Sequence, residues 1–262
     1  MGLKTIWTSA LFCGAVAGTT PLGAQSVDDH VAMGVAANEA HDPGTAIQHF
    51  DAALAQDSSS SEANWRGALT LLDLAELLPD SLQSLERNSL YSLAERYAAR
   101  AVRSEPAGAD GHFALAAAAG RVSLTLGQEA RIRRAGIIRR EALRAIELDS
   151  EHDGAYHIMG RWNAEIMRLS GIGRFFARNF LGAGVFKQAS WEKAIANMEK
   201  AVELDSGRIY HRLELARIYA DRKRWADAEA QLHVLETLPL REVTDSIYKR
   251  EGSELRRKLA KR

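Results

Sequence analysis

Eight histidines and one cysteine are the first places to look for metal or nucleophilic chemistry in this chain of 262 residues. A zinc-binding helix sets two histidines four apart, so that both point from one face. His152 and His157 are five apart, His41 and His49 are eight apart, and no HExxH occurs. Gly171-Ile-Gly173 has two glycines of a dinucleotide loop. It lacks the third, and no strand pattern precedes it to aim a helix N-terminus at a phosphate. No GxSxG nucleophile elbow appears. The serines at 58–61 fit helix ends, with Ser59 and Glu62 at capping-box spacing. Cys13 stands alone, which excludes a disulfide framework and any multi-cysteine zinc or iron–sulfur site. No catalytic residue, metal site or cofactor is expected, and the chain does not read as an enzyme.

Binding chemistry is better represented. Lysine and arginine number 34 against 34 acids, a balance that argues against a nucleic-acid partner, which needs a basic excess over phosphate. The charges are split along the chain. Residues 25–99 hold 12 acidic and 3 basic side chains, and residues 100–262 hold 22 and 30. Arg131, Arg133, Arg134, Arg139, Arg140 and Arg144 crowd one segment, and Arg256 to Arg262 form a basic tail. Such runs are solvated faces, or docks for an acidic partner or an anionic lipid surface. Within 172–186 fall Phe175, Phe176, Phe180 and Phe186, interleaved with Arg174 and Arg178. Leaving four phenylalanines in water forgoes roughly 6–12 kcal/mol, as much as a whole domain's stability. They either fold back on the core or meet an apolar ligand, a membrane or a partner.

What would position these groups is helical throughout. Apolar residues are 46% and charged residues 26%, as in a soluble folded protein. The apolar spacing is 3 and 4, with no long alternation of strand type. Five segments share one grammar: 45–58, 93–106, 137–150, 193–206 and 227–239. Aligned on their ends, they place Ala46, Ala94, Ile138, Ala194 and Ala228 at one position. Four residues later come Phe50, Ala98, Ala142, Met198 and Leu232, and three further on Ala53, Ala101, Ala145, Ala201 and Leu235. Offsets 0, 4 and 7 share one helix face. Between these segments lie partner helices such as 153–169 and 209–221. The pattern resembles the tetratricopeptide repeat and implies an all-α, tetratricopeptide-like superhelix of about five helix pairs. Uneven spacing puts insertions near 72–88, 122–136 and 170–190, expected as long helices or loops on one edge.

The stretch AIELDSEHDGAYHIMGRW (145–162), the later ASWEKAIANMEKAVELDS and the closing IYADRKRWADAEAQLHVLETLP resemble the regulator of microtubule dynamics family over roughly residues 90–240. That resemblance implies a helical-repeat protein. Its eukaryotic members associate with organelle membranes, several through an N-terminal membrane segment. Residues 1–25 here read differently: Lys4, about 12 apolar residues from Ile6 to Ala17 and a small-residue stretch are the parts of a secretory signal cleaved after Ala24. The expected layout is a signal at 1–25, repeats at 26–241 and a basic capping helix at 242–262, in a periplasmic or secreted protein.

Repeats of this kind bind along the concave side, which the first helix of each pair lines. The register places Trp65, Leu69, Phe113, Arg121, His157, Arg161, Leu213 and Arg217 there. Together with Phe175, Phe176 and Phe180 these are the candidate binding residues. An arginine fork suits a carboxylate or phosphate. The expected function is an exported, non-catalytic scaffold for a protein or peptide. The alternative is a carrier of an apolar anionic ligand such as a lipid.

Overall fold

In the computed structural model, residues 25–78, 85–169 and 184–262 are described. The signal segment, Pro79 and the stretch carrying Phe175, Phe176 and Phe180 lie outside the described residues. Eleven α-helices are present among the described residues: α1 Val27–Glu39, α2 Pro43–Gln56, α3 Ser61–Leu77, α4 Leu85–Ser104, α5 Ala109–Leu124, α6 Gln128–Leu148, α7 Asp153–Arg168, α8 Trp191–Leu204, α9 Ile209–Asp221, α10 Trp225–Thr237 and α11 Asp245–Leu259. A 3-10 turn, Gly184–Gln188, precedes α8. Helices α1/α2, α3/α4, α5/α6, α7/α8 and α9/α10 pack as hairpins, each hairpin packs on the next, and α11 lies against α9 and α10. The architecture is an all-α, tetratricopeptide-like superhelix.

Small residues make the stacking possible. Of the fifteen aligned positions, fourteen are at most 1% exposed, and only Ile138 is left half-buried. Alanine on the buried face of the second helix lets both neighbours approach closely, so the interior is filled by partners rather than by the helix's own side chains. Two glycines on the first helices answer the large residues among those positions. A Cβ on Gly34 would lie 2.6 Å from the Phe50 ring, and one on Gly160 would lie 2.9 Å from Met198 Cε and 3.2 Å from its backbone nitrogen.

The recurring Asp-Ser that closes three repeats has a mechanical cause. Asp57, Asp149 and Asp205 are the C-caps of α2, α6 and α8. Each backbone N–H still donates into its helix, to Ala53, Ala145 and Ala201 at 2.9, 2.8 and 3.0 Å. Each carboxylate turns forward to accept the N–H two residues on, from Ser59, Glu151 and Gly207 at 2.8, 2.9 and 3.1 Å. The aspartate thus ends one helix and aims the chain into the next. The cap of α3 differs from the expected one. Ser60, not Ser59, accepts from Ala63 N–H, because Ser59 is already held by Asp57, and Glu62 pairs with Arg66 instead.

The insertions become longer helices where they are described. Helices α4 and α6 have 20 and 21 residues against 14 in α2 and α8. The second insertion simply extends α6 after a short turn.

Gly160→Ala is expected to destabilise the fold by roughly 1–3 kcal/mol through overpacking against α8, outweighing the helix-propensity gain. Gly120, also in a helix, has nothing within 4 Å of the place a methyl group would occupy, so Gly120→Ala is expected to stabilise by about 0.5–1 kcal/mol. Urea denaturation of both variants checks the pair; equal and favourable shifts would remove the argument for close approach.

Candidate functional site

The superhelix turns far enough to bring its two halves face to face. His41 Nε2, at the α1–α2 turn, lies 3.1 Å from the carbonyl of Arg241, just before α11. Asp73 on α3 interacts electrostatically with Glu242 and Arg208, and Arg121 on α5 interacts with Tyr210 and Tyr248 of α9 and α11. These groups sit deep among protein yet still meet water: the Arg121 and Arg208 side chains keep 20% and 29% exposure. Together they mark the inner side of the superhelix, its bore, along the concave face.

Two of the expected binding residues, Arg121 and Arg161, meet there beside the buried His157. Arg121, His157 and Arg161 are close enough that both arginines depress the His157 pKa. Arg121 bonds Glu76 at 3.0 Å, and Glu76 also accepts from the Tyr91 hydroxyl at 3.0 Å. Arg161 donates to the Tyr210 hydroxyl and lies 3.8 Å from Glu214. Arg217 joins the same chain of charges through Glu214 and bonds Glu251 at 2.8 Å. Burial works against the charge on Arg121, but Tyr210 and Glu76 hold its pKa above the usual arginine value.

The other expected residues have packing roles. Trp65 and Leu69 lie half-buried against the cluster of α3, α4 and α5. Phe113 lies tilted, 4.6 Å from His152, which caps α7, and the Phe113 ring fills the space that a Cβ on Gly154 would need. Leu213, placed on the inner face by the register, is instead fully buried with Leu232, Leu235 and Tyr248. The inner face of α9 is Tyr210, Glu214 and Arg217, one residue around the helix from Leu213. The same register position on α7 is His157, and it is buried too, at 5% exposure.

A buried relay runs through the centre. Arg208 and His211 both hold Asp153 Oδ2, at 2.8 and 2.7 Å. His211 Nδ1 lies 2.8 Å from His157 Nδ1. Burial, then His211 and the surrounding arginines, push the His157 pKa well below the usual histidine range; burial also lowers His211, against the pull of Asp153. Both rings are therefore neutral near pH 7. His211 donates from Nε2 to Asp153, which leaves its Nδ1 as acceptor for the His157 Nδ1–H. His157 Nε2 is then a bare acceptor, buried and with no hydrogen-bond partner among the described residues. Burial alone would raise the Asp153 pKa, but His211 and Arg208 hold it far below the carboxylate range.

Asp73 is the opposite case. It makes no hydrogen bond or ion pair among the described residues, and burial, then Glu242, push its pKa up to about 7. Sequence reasoning missed it, although it lies eight residues after Trp65 and so on the same helix face. Arg208, Tyr210, Glu242 and Tyr248 were missed too. They reach the bore only because the superhelix closes, and no local spacing encodes that. No group of three histidine, cysteine or acidic residues is arranged to hold a metal ion among the described residues. No helix among them is long and apolar enough to cross a membrane.

Asp73 and the histidines have opposite pH linkage. Asp73 titrates higher folded than unfolded, so its contribution is lost as pH rises from about 4 through 7. The histidines titrate lower folded, so their contribution is present above about pH 6.5 and lost below it. Around Asp73 stand Glu76 on its own helix, Arg121, Arg208 and Glu242. Asp73→Asn is expected to exceed the parent in stability by roughly 1–2 kcal/mol at about pH 8, a figure reduced because water reaches the site. The advantage should shrink toward about pH 5, where the histidine-driven decline in the variant becomes steeper than in the parent. Chemical denaturation across this range reads both effects, and a variant weaker than the parent at pH 8 would sink the account.

Comparison with known proteins agrees with the architecture. The sequence pattern of the family described as regulator of microtubule dynamics protein 1-3 matches residues 29–260. A search of curated proteins finds no match. Among solved structures, TTC0263, a thermophilic tetratricopeptide protein of Thermus thermophilus, superposes with a TM-score of 0.63 at 16% identity, over 87% of this chain and 100% of that one. PilF of Pseudomonas aeruginosa gives 0.48 at 13% identity, over 87% of each chain. YrrB, a tetratricopeptide protein described as having an unusual peptide-binding site, gives 0.43 at 13% identity, over 88% of this chain and 93% of that one. The first of these likenesses speaks to the fold, and the match over 29–260 speaks to descent: the chain belongs to the regulator of microtubule dynamics protein 1-3 family.

Proposed function

We propose that this chain is an exported, non-catalytic scaffold that holds a protein or peptide partner along the concave side of its superhelix. The observation that carries the proposal is the meeting of Arg121 and Arg161, 20% and 31% exposed, beside the buried His157. Arginine forks with unspent donors suit the carboxylates of a polypeptide. Helices α3, α5, α7 and α9 all contribute, so the surface is extended and preformed, as repeat proteins require for extended partners. A charged lining also favours a polypeptide over an acyl chain, which would dehydrate those groups without bonding them. The Asp153–His211–His157 relay ties α7 to α9 beneath that lining.

Export rests on residues 1–25, read as a secretory signal. A chain on that route does not share a compartment with microtubules, so the cytoskeletal role in the family's name is not carried over.

Selection from a displayed peptide library is expected to yield binders that Arg161→Ala weakens by about tenfold or more, while Arg140→Ala on the outer face of α6 leaves them unchanged. Equal loss in both variants, or none, would count against the concave side. No peptide selected, with a lipid mass retained in native mass spectrometry, would replace the scaffold with the lipid carrier. Intact mass of the chain recovered outside the cytoplasm should begin at Gln25; a chain still carrying Met1 there would refute cleavage.

A further inference from the structure

Two pairs of facing histidines occur among the described residues, and their spacings differ. His157 Nδ1 and His211 Nδ1, buried and 2.8 Å apart, fit a hydrogen bond. His30 Nδ1 on α1 and His49 Nδ1 on α2 are 3.3 Å apart, with the rings tilted at 37°. Both rings are only half-buried, so an ion from solvent can reach them. Their spacing exceeds the usual hydrogen-bond length. A first-row metal ion holds each imidazole nitrogen at about 2.0–2.1 Å. At angles between tetrahedral and trigonal, that sets the two nitrogens about 3.3–3.6 Å apart. Neither ring makes another hydrogen bond among the described residues, so both can carry the proton on Nε2 and offer the Nδ1 lone pair.

Met33 adds a soft donor beside the pair. It follows His30 by three residues, so the two share a face of α1 with Cβ atoms about 5–6 Å apart. Helical side chains lean toward the N-terminus. This one does so: Gln25 Nε2 donates to Met33 Sδ at 3.6 Å, which brings the sulfur back over the turn that carries His30. Met33 is half-buried too, and its sulfur keeps a second lone pair. The local charge favours a cation. Helices α1 and α2 contain no lysine or arginine, and they carry Asp28, Asp29, Glu39 and Asp51.

We propose that the first hairpin binds a copper(I) ion on His30 Nδ1, His49 Nδ1 and Met33 Sδ. Imidazole suits several first-row ions, but a thioether selects soft copper(I). Zinc takes nitrogen, thiolate or carboxylate ligands, three or four from the protein, and no third histidine, cysteine or acid completes such a set among the described residues. Magnesium and calcium need oxygen ligands, which the pair does not offer. The site uses none of the groups on which the scaffold proposal rests, so either proposal can fail without the other.

The test is anaerobic titration of the full chain with copper(I) against a chromophoric chelator, beside zinc(II). The chain carries Cys13→Ser, which removes its one thiol as a competing ligand. One copper(I) is expected to bind, at least about tenfold more tightly than zinc(II). His30→Ala and His49→Ala should each lose affinity by about a hundredfold or more, and Met33→Leu by about tenfold with its zinc affinity unchanged. His233→Ala, exposed on α10, should keep full affinity. X-ray absorption of the copper-loaded parent needs no variant to fold, and it should show two nitrogens and one sulfur around the metal. No copper(I) bound, zinc bound as tightly, full affinity in His30→Ala or Met33→Leu, or a shell without sulfur would each overturn the proposal.

Discussion

Close approach of helices through alanine is the constraint on which the rest of this structure depends. Ala46, Ala94, Ala194 and Ala228 start the buried face of their helices, and Ala53, Ala101, Ala145 and Ala201 end it, all fully buried. A helix faced with alanine gains little by burying its own side chains. Its stability comes from close contact, with its one large residue seated where a neighbouring helix has glycine: Phe50 against Gly34 and Met198 against Gly160. No hairpin can close its own core, so the chain folds as a stack in which each unit completes the one beside it. The tightness of that stack sets the twist, and the twist decides what the ends meet.

Enough repeats stack for the superhelix to turn its first three hairpins toward its last. Residues far apart in sequence then share one medium. Asp73 and Glu242 are on opposite halves, yet the proximity of one raises the pKa of the other. Tyr210 and Tyr248 stack at 4.2 Å and face Arg121 from across the bore. These groups are only partly exposed, so charges interact more strongly than on an open surface and each unpaired group costs more. The outer helices show the contrast. Arg133 with Glu129, Arg144 with Glu147 and Arg224 with Asp227 are local exposed pairs of the kind that contribute little.

How far the sequence speaks follows from the same distinction between local and closed. The helical pairs, their buried faces and their aspartate ends are local, and they were legible because Asp57, Asp149 and Asp205 perform one geometric task at one spacing. On the inner face Arg121 and Arg161 are partly exposed, where the register puts them, while His157 is buried against His211. The register position shared by His157 and Leu213 is buried on both helices, and the neighbouring Glu214 is buried by its arginines. Asp73 was readable in principle, on the face of Trp65, but a lone acid on an inner face looks like a solvated one. Only the closure of the superhelix shows that Glu242 and Arg208 stand opposite it.

The unpaired groups in the bore are therefore informative about what the fold tolerates. Replacing Glu76 by an apolar residue would free Arg121 to pair with Asp73, and Arg208 could do the same if Asp153 did not hold it. Asp153 in turn is fixed by His211, whose other nitrogen engages His157. Each cation is thus drawn away from Asp73 by a second acid that itself anchors a helix: Glu76 ties α3 to α4 and α5, and Asp153 ties α7 to α9. A network that served stability alone would let the nearest opposite charges meet, because a buried carboxylate without a partner is among the more costly features a fold can keep. The acids that secure the helices are the same ones that leave Asp73 without an ion pair, and this couples the rigidity of the stack to the charge state of its interior.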